Sequence, residues 1–420
     1  MRLVPLAAAA FAVAGALLLI GSTYADLRGS QDPRAHAAPR AAAEPSLSVT
    51  AAGVVFHCSA QQLQRIQPAV ESYLAEQGIA QHLVRTTLDV PSQSLRFTLV
   101  EPLADDNTLN LVDRPALHIT EALVELPAAQ GAVRTVLTVS KQEIVYALLQ
   151  SGRSTVFEGA ACNAQALIDQ VGIRQNTVAW AETLSWQWPD GGPALWNKKY
   201  WRRGTPVPGH PLYEAVNDAF INQDRYAIGC YTATKLVIIQ GLLDYYRRIK
   251  HDPQTLTLVQ DQLLRDQEPL SHIEPGAMWH FEADSSAADR ARPGKLLALH
   301  HGIAAKNFIP GDWAYFLNTD PTTYQKTGYE GSNAIYLGRG KFDDYYNDHH
   351  HFYTYKEKMH EVYQWRNKVF SARRDVAKVK PLSAADFERL SDTPEHGGIE
   401  LDYRAVPLLF GFETPALQAL

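Results

Sequence analysis

The feature that most restricts how this chain can fold is the run Asp224-Arg225-Tyr226-Ala227-Ile228-Gly229-Cys230-Tyr231-Thr232-Ala233-Thr234-Lys235. It leads directly into Leu236-Val237-Ile238-Ile239-Gln240-Gly241-Leu242-Leu243-Asp244-Tyr245-Tyr246. This reads as a loop followed by a long helix whose apolar residues occupy nearly every face. A helix that is apolar all round is buried, so the domain is built around this segment, with Cys230 in its first turn. A helix start presents backbone N–H groups that lack intrahelical partners, together with a partial positive charge, and cysteines placed there titrate at roughly 3.5 to 7.5. The thiolate is favoured, and the same N–H groups can stabilise an oxyanion as it attacks a carbonyl. The competing reading is a small buried hydrophobe.

The rest of the chain sets the context for that thiol. Its 420 residues are 46% hydrophobic and 20% charged, enough for one large or two medium folded units. With 39 Lys and Arg against 45 Asp and Glu, the formal charge is -6. That leaves no basic excess to neutralise a phosphate backbone, and no nucleic-acid partner is expected. Arg2, the apolar run Leu6 to Ile20 and the small residues up to Ala25 have the layout of a signal peptide, with a membrane anchor as the alternative for residues 1–25. Residues 26–50 are an Ala/Pro-rich linker. The expected location is outside the cytoplasm, in the periplasm or cell envelope, with membrane association left open. An oxidising compartment pairs thiols, and the chain has three cysteines. Cys58, after a strand-like Val54-Val55-Phe56, and Cys162, at a turn-like helix start, are able to pair and leave Cys230 as the remaining thiol.

Two units are expected, both α+β. In residues 51–158, apolar residues at helical spacing over Ala60 to Gly78 and over Lys141 to Gln150 flank strand-like runs at Leu95 to Val100, His118 to Leu126 and Val133 to Val139. No phosphate-cradling glycine loop occurs there, which suggests an accessory role. Residues 159–420 hold most of the Trp and Tyr residues, many of them in loops of the kind that line clefts. Within this second unit, Ile309-Pro310-Gly311-Asp312 is a turn that delivers a strand at Trp313 to Phe316, with Asp312 a turn residue. After a 16-residue loop a second strand runs over Asn333 to Gly338, and Arg339 to Tyr346 turns back as a hairpin. Helices are expected over Tyr355 to Phe370 and near Ser383 to Leu390.

The segments Tyr226 to Ala233, Gly311-Asp312-Trp313-Ala314-Tyr315-Phe316-Leu317-Asn318 and Gly331-Ser332-Asn333-Ala334-Ile335-Tyr336-Leu337-Gly338 resemble the bacterial spore-coat protein-glutamine gamma-glutamyltransferases. The strand pair is also similar to that of papain-like cell-wall endopeptidases. The resemblance covers roughly Tyr200 to Phe370 and implies a papain-like α+β fold with Cys230 as nucleophile. The chain departs from the pattern at two places. Ser332 stands between Gly331 and Asn333 where the transglutaminases carry a catalytic Glu, and Gly229 stands where they carry an acid. Glu330, two residues before Ser332 and so on the same strand face, is the substitute carboxylate. The family's later His aligns near Asp344 and Tyr345, which brings forward Asp344 and, from Asn347-Asp348-His349-His350-His351, His349. Consecutive residues of a strand point to alternate sides, and no HExxH motif or cysteine pair accompanies these histidines, so neither a metal nor a cofactor is expected.

The reaction implied is attack of the Cys230 thiolate on a glutamine carboxamide, loss of ammonia, and transfer of the acyl group to a lysine amine. The expected partners are therefore proteins bearing Gln and Lys side chains. Two alternatives stay open: a cell-wall endopeptidase, with water as acceptor, and a catalytically inactive envelope-binding module.

Overall fold

The computed structural model describes residues 53–100, 107–150, 153–189, 194–202, 204–266, 305–317, 331–347, 352–366, 380–391 and 400–404. The signal-like segment, the linker, Glu330 and His349 lie outside the described residues. All the described residues belong to one unit by their contacts.

Strand β1 (Gly53–His57) leads into helix α1 (Ala60–Glu76), the hairpin β2 (Val84–Asp89) and β3 (Ser94–Leu99), a second hairpin β4 (Ala122–Pro127) and β5 (Val133–Thr138), helix α2 (Lys141–Leu149) and strand β6 (Ser154–Glu158). The first sheet has the order β2-β3-β1-β6, with β1 antiparallel to β3 and parallel to β6. Alternation along β1 and β6 brings Phe56 and Phe157 side by side, and their rings stack at 4.9 Å. Polar side chains close the helix starts: Ser140 Oγ accepts the Glu143 N–H of α2 at 3.2 Å. Cys58 and Cys162 form a disulfide across 104 residues of sequence, with Cα atoms 5.7 Å apart. The covalent link ties the end of β1 to the start of the next helix.

That helix, α3 (Ala164–Ala181), is followed by the short ladder β7 (Trp201–Arg202) and β8 (Thr205–Pro206), then by α4 (Leu212–Ile221), α5 (Cys230–Asp244) and α6 (Pro253–Asp266). Every residue of α5 from Thr232 to Asp244 is buried. Its all-round apolar surface is satisfied by α3 on one side and by the second sheet on another. The two helices meet so closely at Gly241 that a Cβ there would lie 2.0 Å from Thr177 Oγ1 and 2.7 Å from Thr177 Cα. Only glycine permits that approach. A buried carboxylate pins the same helices. Asp244 accepts from Trp180 Nε1 (2.9 Å), Asn176 Nδ2 (3.2 Å) and Arg248 Nη2 (2.8 Å).

The second sheet comprises β9 (Trp313–Leu317), β10 (Gly331–Gly338), β11 (Lys341–Asp343), β12 (Tyr353–Thr354) and, after helices α7 (Tyr355–Arg366) and α8 (Ala384–Ser391), β13 (Glu400–Arg404). It is antiparallel throughout, in the order β12-β11-β10-β9-β13. Its two faces are covered differently. Trp313, Asn333 and Ile335 point towards α5, whereas Ala314, Phe316, Ala334, Tyr336 and Phe342 pack under Met359 and Val362 of α7. The turn Ile309–Asp312 delivers β9 as expected, and Asp312 is the residue that holds it. Its buried carboxylate accepts from Arg153 and Arg174, each at 2.8 Å, and from the Ile309 N–H. Because Arg153 precedes β6 and Arg174 lies on α3, this one side chain joins elements on both sides of Gly159. The hydrophobic core likewise runs from Val54 to Tyr346 without a break at that position.

Candidate active site

The site begins with how Cys230 is delivered. Residues Tyr226 to Gly229 belong to no strand, and single β-bridges from Ala227 to Gln187 and Leu195, together with side chains, hold them. Ala227 exchanges two backbone hydrogen bonds with Leu195 (2.8 and 3.1 Å), the Ile228 carbonyl accepts from Tyr346 Oη (2.8 Å), and Tyr226 Oη donates to Asp218 (2.5 Å). The chain then turns into α5 at Cys230. The N-cap position is Gly229, which offers no side-chain oxygen, and the first intrahelical bond is from the Ala233 N–H to the Gly229 carbonyl (2.9 Å). The N–H groups of Cys230, Tyr231 and Thr232 precede that bond and form the electropositive end of the helix.

The thiol is half-buried and stands outside the disulfide. Asn333 of β10 lies against it, with Nδ2 at 3.4 Å from Sγ. The orientation of that amide follows from its other contact. Trp313 Nε1 donates to Asn333 Oδ1 at 2.8 Å, and an indole nitrogen can only donate, so the amide oxygen must face the tryptophan and the NH2 must face the sulfur. A donor fixed on Sγ favours the thiolate over the thiol. Tyr231 stands edge-on to Trp313 (5.3 Å), and Lys235 Nζ lies 3.8 Å over the Tyr231 ring, closing the apolar side of the site.

Tyr345 meets α5 at Thr234, one turn beyond Cys230. Its phenol is 2.7 Å from Thr234 Oγ1, and the Thr234 hydroxyl donates to the Cys230 carbonyl at 2.8 Å. The threonine proton is thus committed, and Tyr345 donates to it. Burial pushes the Tyr345 phenol well above its ordinary range, and the charges of Asp343, Cys230 and Asp344 add to the rise, so the phenol keeps its proton. Tyr345 adopts φ +73°, a left-handed conformation costly for a bulky residue. Asp343 Oδ1, which accepts the Tyr345 N–H at 2.9 Å, and the Trp186 N–H, which donates to the Tyr345 carbonyl at 2.9 Å, hold it there. Asp343 is fully buried, which drives its carboxyl well above its ordinary value and favours the neutral acid.

Of the four residues singled out in the sequence, Cys230 heads α5 and Asp344 is buried just past β11, with Oδ2 3.9 Å from Lys358 Nζ. Glu330 and His349 lie outside the described residues. Ser332, beside Asn333, turns away from Cys230: it is on the Phe316 and Ala334 face and accepts a hydrogen bond from Lys358 Nζ at 2.9 Å. Asn333 and Tyr345 were visible in the sequence only as pattern residues. Among the described residues no group of three His, Cys, Asp or Glu side chains is placed to hold a metal, and no helix is long and apolar enough to cross a membrane.

A thiol at the uncapped start of a buried helix, packed on an antiparallel sheet that carries its polar partners, is the general plan of cysteine hydrolases and transferases on an α+β papain-like fold. Comparison narrows the class. The profile of protein-glutamine gamma-glutamyltransferases matches residues 127–392, more than half of the chain. This chain belongs to that family, and its chemistry is acyl transfer of the transglutaminase kind, with proteins bearing Gln and Lys side chains as substrates. Among solved structures it is similar to a transglutaminase from Geobacillus stearothermophilus without its C-terminal extension, at 20% identity and a TM-score of 0.34, over 49% of this chain and 86% of that one. No curated protein matches the chain in sequence.

Proposed function

We propose that Cys230 is the nucleophile of this acyl transfer. The thiolate attacks the carboxamide carbon of a substrate glutamine, and the negative charge that develops on the carboxamide oxygen is met by the N–H groups at the start of α5. The carbon–nitrogen bond breaks, ammonia leaves with a proton, and the acyl group remains on Sγ as a thioester. A lysine amine then attacks the thioester carbonyl, loses a proton, and releases the thiol. The observation that carries this reading is the fixed donation from Asn333 to Sγ at a helix start that lacks a side-chain cap. We assign the proton transfers to Glu330 or His349, and to Asp344 a supporting place beside Tyr345 rather than a proton-transfer step.

We also propose that the protein works outside the cytoplasm, in the periplasm or cell envelope, on envelope proteins. The signal-like layout of residues 1–25 supports this, as does the pairing of Cys58 with Cys162, since disulfides persist in oxidising compartments. Purified chain starting at Ser46 is expected to incorporate a fluorescent primary amine into a glutamine-bearing protein, and Cys230→Ala is expected to abolish the labelling. Labelling that survives in Cys230→Ala would overturn the assignment.

A further inference from the structure

Lys358 is a fully buried lysine on α7, on the side of the second sheet opposite α5. Its ammonium donates to Ser332 Oγ (2.9 Å) and to Glu361 Oε2 (3.2 Å), faces Asp344 Oδ2 (3.9 Å), and lies 3.9 Å over the ring of Tyr353. Taking a lysine out of water is costly, and this one is surrounded by the groups that make it tolerable: two carboxylates, a hydroxyl and a π face. Asp343 is also within its electrostatic reach.

Two of these partners occupy particular places in the chain. Ser332 immediately precedes Asn333, and Asp344 immediately precedes Tyr345. Neighbouring residues of a strand point to opposite faces, and Ser332 and Asn333 do so. Asn333 and Tyr345 are the polar side chains that meet Cys230 and its helix from the sheet. One ammonium behind the sheet therefore engages the residue before each of the two in front. The register of β10 with β11 has its last regular pair at Ile335 and Asp343, so beyond that pair regular backbone pairing does not fix the distance between Asn333 and Tyr345. Tyr345 is moreover in a strained conformation that must be held from outside.

We propose that Lys358 is a positioning residue of the acyl-transfer site, bridging Ser332 and Asp344 from behind so that Asn333 and Tyr345 stay seated against Cys230 and Thr234. It never touches substrate. Ser332, which stands where the family carries a carboxylate, is on this account one end of a structural clamp. The proposal rests on Cys230 being the nucleophile, but its test reads the thiol itself and does not depend on turnover.

The rate of Cys230 alkylation by iodoacetamide is measured against pH in the otherwise complete protein from Ser46 onwards, for wild type, Lys358→Met, Lys358→Arg and Asp344→Asn, with near-UV circular dichroism reporting whether each variant is folded. Lys358→Met is expected to move the midpoint of the profile up by about one pH unit, which is roughly a tenfold slower reaction below the midpoint. Asp344→Asn is expected to move it in the same direction, and Lys358→Arg, which keeps the charge, to recover most of the wild-type profile. In the amine-incorporation assay the loss is expected in kcat, with KM for the amine unchanged. A folded Lys358→Met with the wild-type profile would overturn the proposal and leave Lys358 a packing residue. If Lys358→Met fails to fold, Asp344→Asn decides: a wild-type profile there overturns the proposal. A failed nucleophile assignment looks different, since amine incorporation would then persist in Cys230→Ala whatever Lys358 does.

Discussion

Glu143 gives the fold a pH dependence whose size follows from its surroundings. It lies in the first turn of α2, is 1% exposed, and accepts the Arg339 N–H at 2.6 Å across the β10–β11 turn. Gly338 in that turn, at φ +79°, sits so close that a Cβ would come within 2.7 Å of Glu143 Oε1. Burial raises the carboxyl from 4.5 to about 7, partly offset by the Arg339 N–H bond and the Arg339 charge, while the charges of Glu121 and Glu182 add to the rise. The raised value belongs to the folded state, so the native protein keeps this proton at pH values where the unfolded chain has released it. Its stabilising contribution is complete below about pH 4.5 and lost as pH rises to about 7. At about 1.36 kcal/mol per pKa unit the total is about 3 kcal/mol, or about 4 °C in Tm for a chain of this size. Glu143→Gln keeps the oxygen that accepts from Arg339 and cannot ionise. Relative to wild type, the variant should therefore gain about 3 kcal/mol between pH 4.5 and pH 8, while ionisations elsewhere cancel in the difference. Urea unfolding of both proteins across that range is the assay. Parallel stability curves would show that Glu143 titrates alike in the folded and unfolded chains, and would refute the reasoning.

Three further outcomes follow from the site and its frame. Asn333→Leu removes the Nδ2 hydrogen bond to Sγ, worth about 1.5 to 3 kcal/mol to a thiolate. The Cys230 thiol should then titrate roughly one to two units higher by iodoacetamide kinetics, and an unchanged midpoint would mean that Nδ2 does not donate to the thiolate. Non-reducing peptide mapping should find Cys58 joined to Cys162 with Cys230 alkylated without reductant. Removing the bridge by the double substitution to Ser should destabilise the fold by roughly 2 to 5 kcal/mol in thermal unfolding, given the long loop it closes. Alkylation of all three thiols in the native protein would contradict the pairing.

What could be read from the sequence was what local pattern determines. The all-round apolar run after Cys230 identifies the buried helix and its first residue, and short apolar runs after the Pro310-Gly311-Asp312 turn and the loop that follows identify β9 and β10, because burial writes itself directly into residue order. Helices at Ala60–Glu76, Lys141–Leu149, Tyr355–Arg366 and Ala384–Ser391 fall where the spacing puts them. The parallel pairing of β1 with β6 has no such signature, since the two strands are almost a hundred residues apart. The polar partners of the thiol were hidden for a related reason. Asn333 is 103 residues from Cys230 and Lys358 is 26 from Ser332, so their roles arise only when sheet and helices stack. Strand alternation decides which of two adjacent residues faces the nucleophile. Family position pointed to Ser332, and the register turns Asn333 to the sulfur instead.

If the acyl group is carried on Cys230, the thioester can be trapped there. The protein is mixed with a glutamine-bearing peptide, with no amine present, quenched in acid and digested, and the fragment containing Cys230 is weighed. The account predicts that this fragment carries the peptide less one ammonia and loses it when a primary amine is added before the quench. An acyl adduct on any other residue, with Cys230 unmodified, would contradict it.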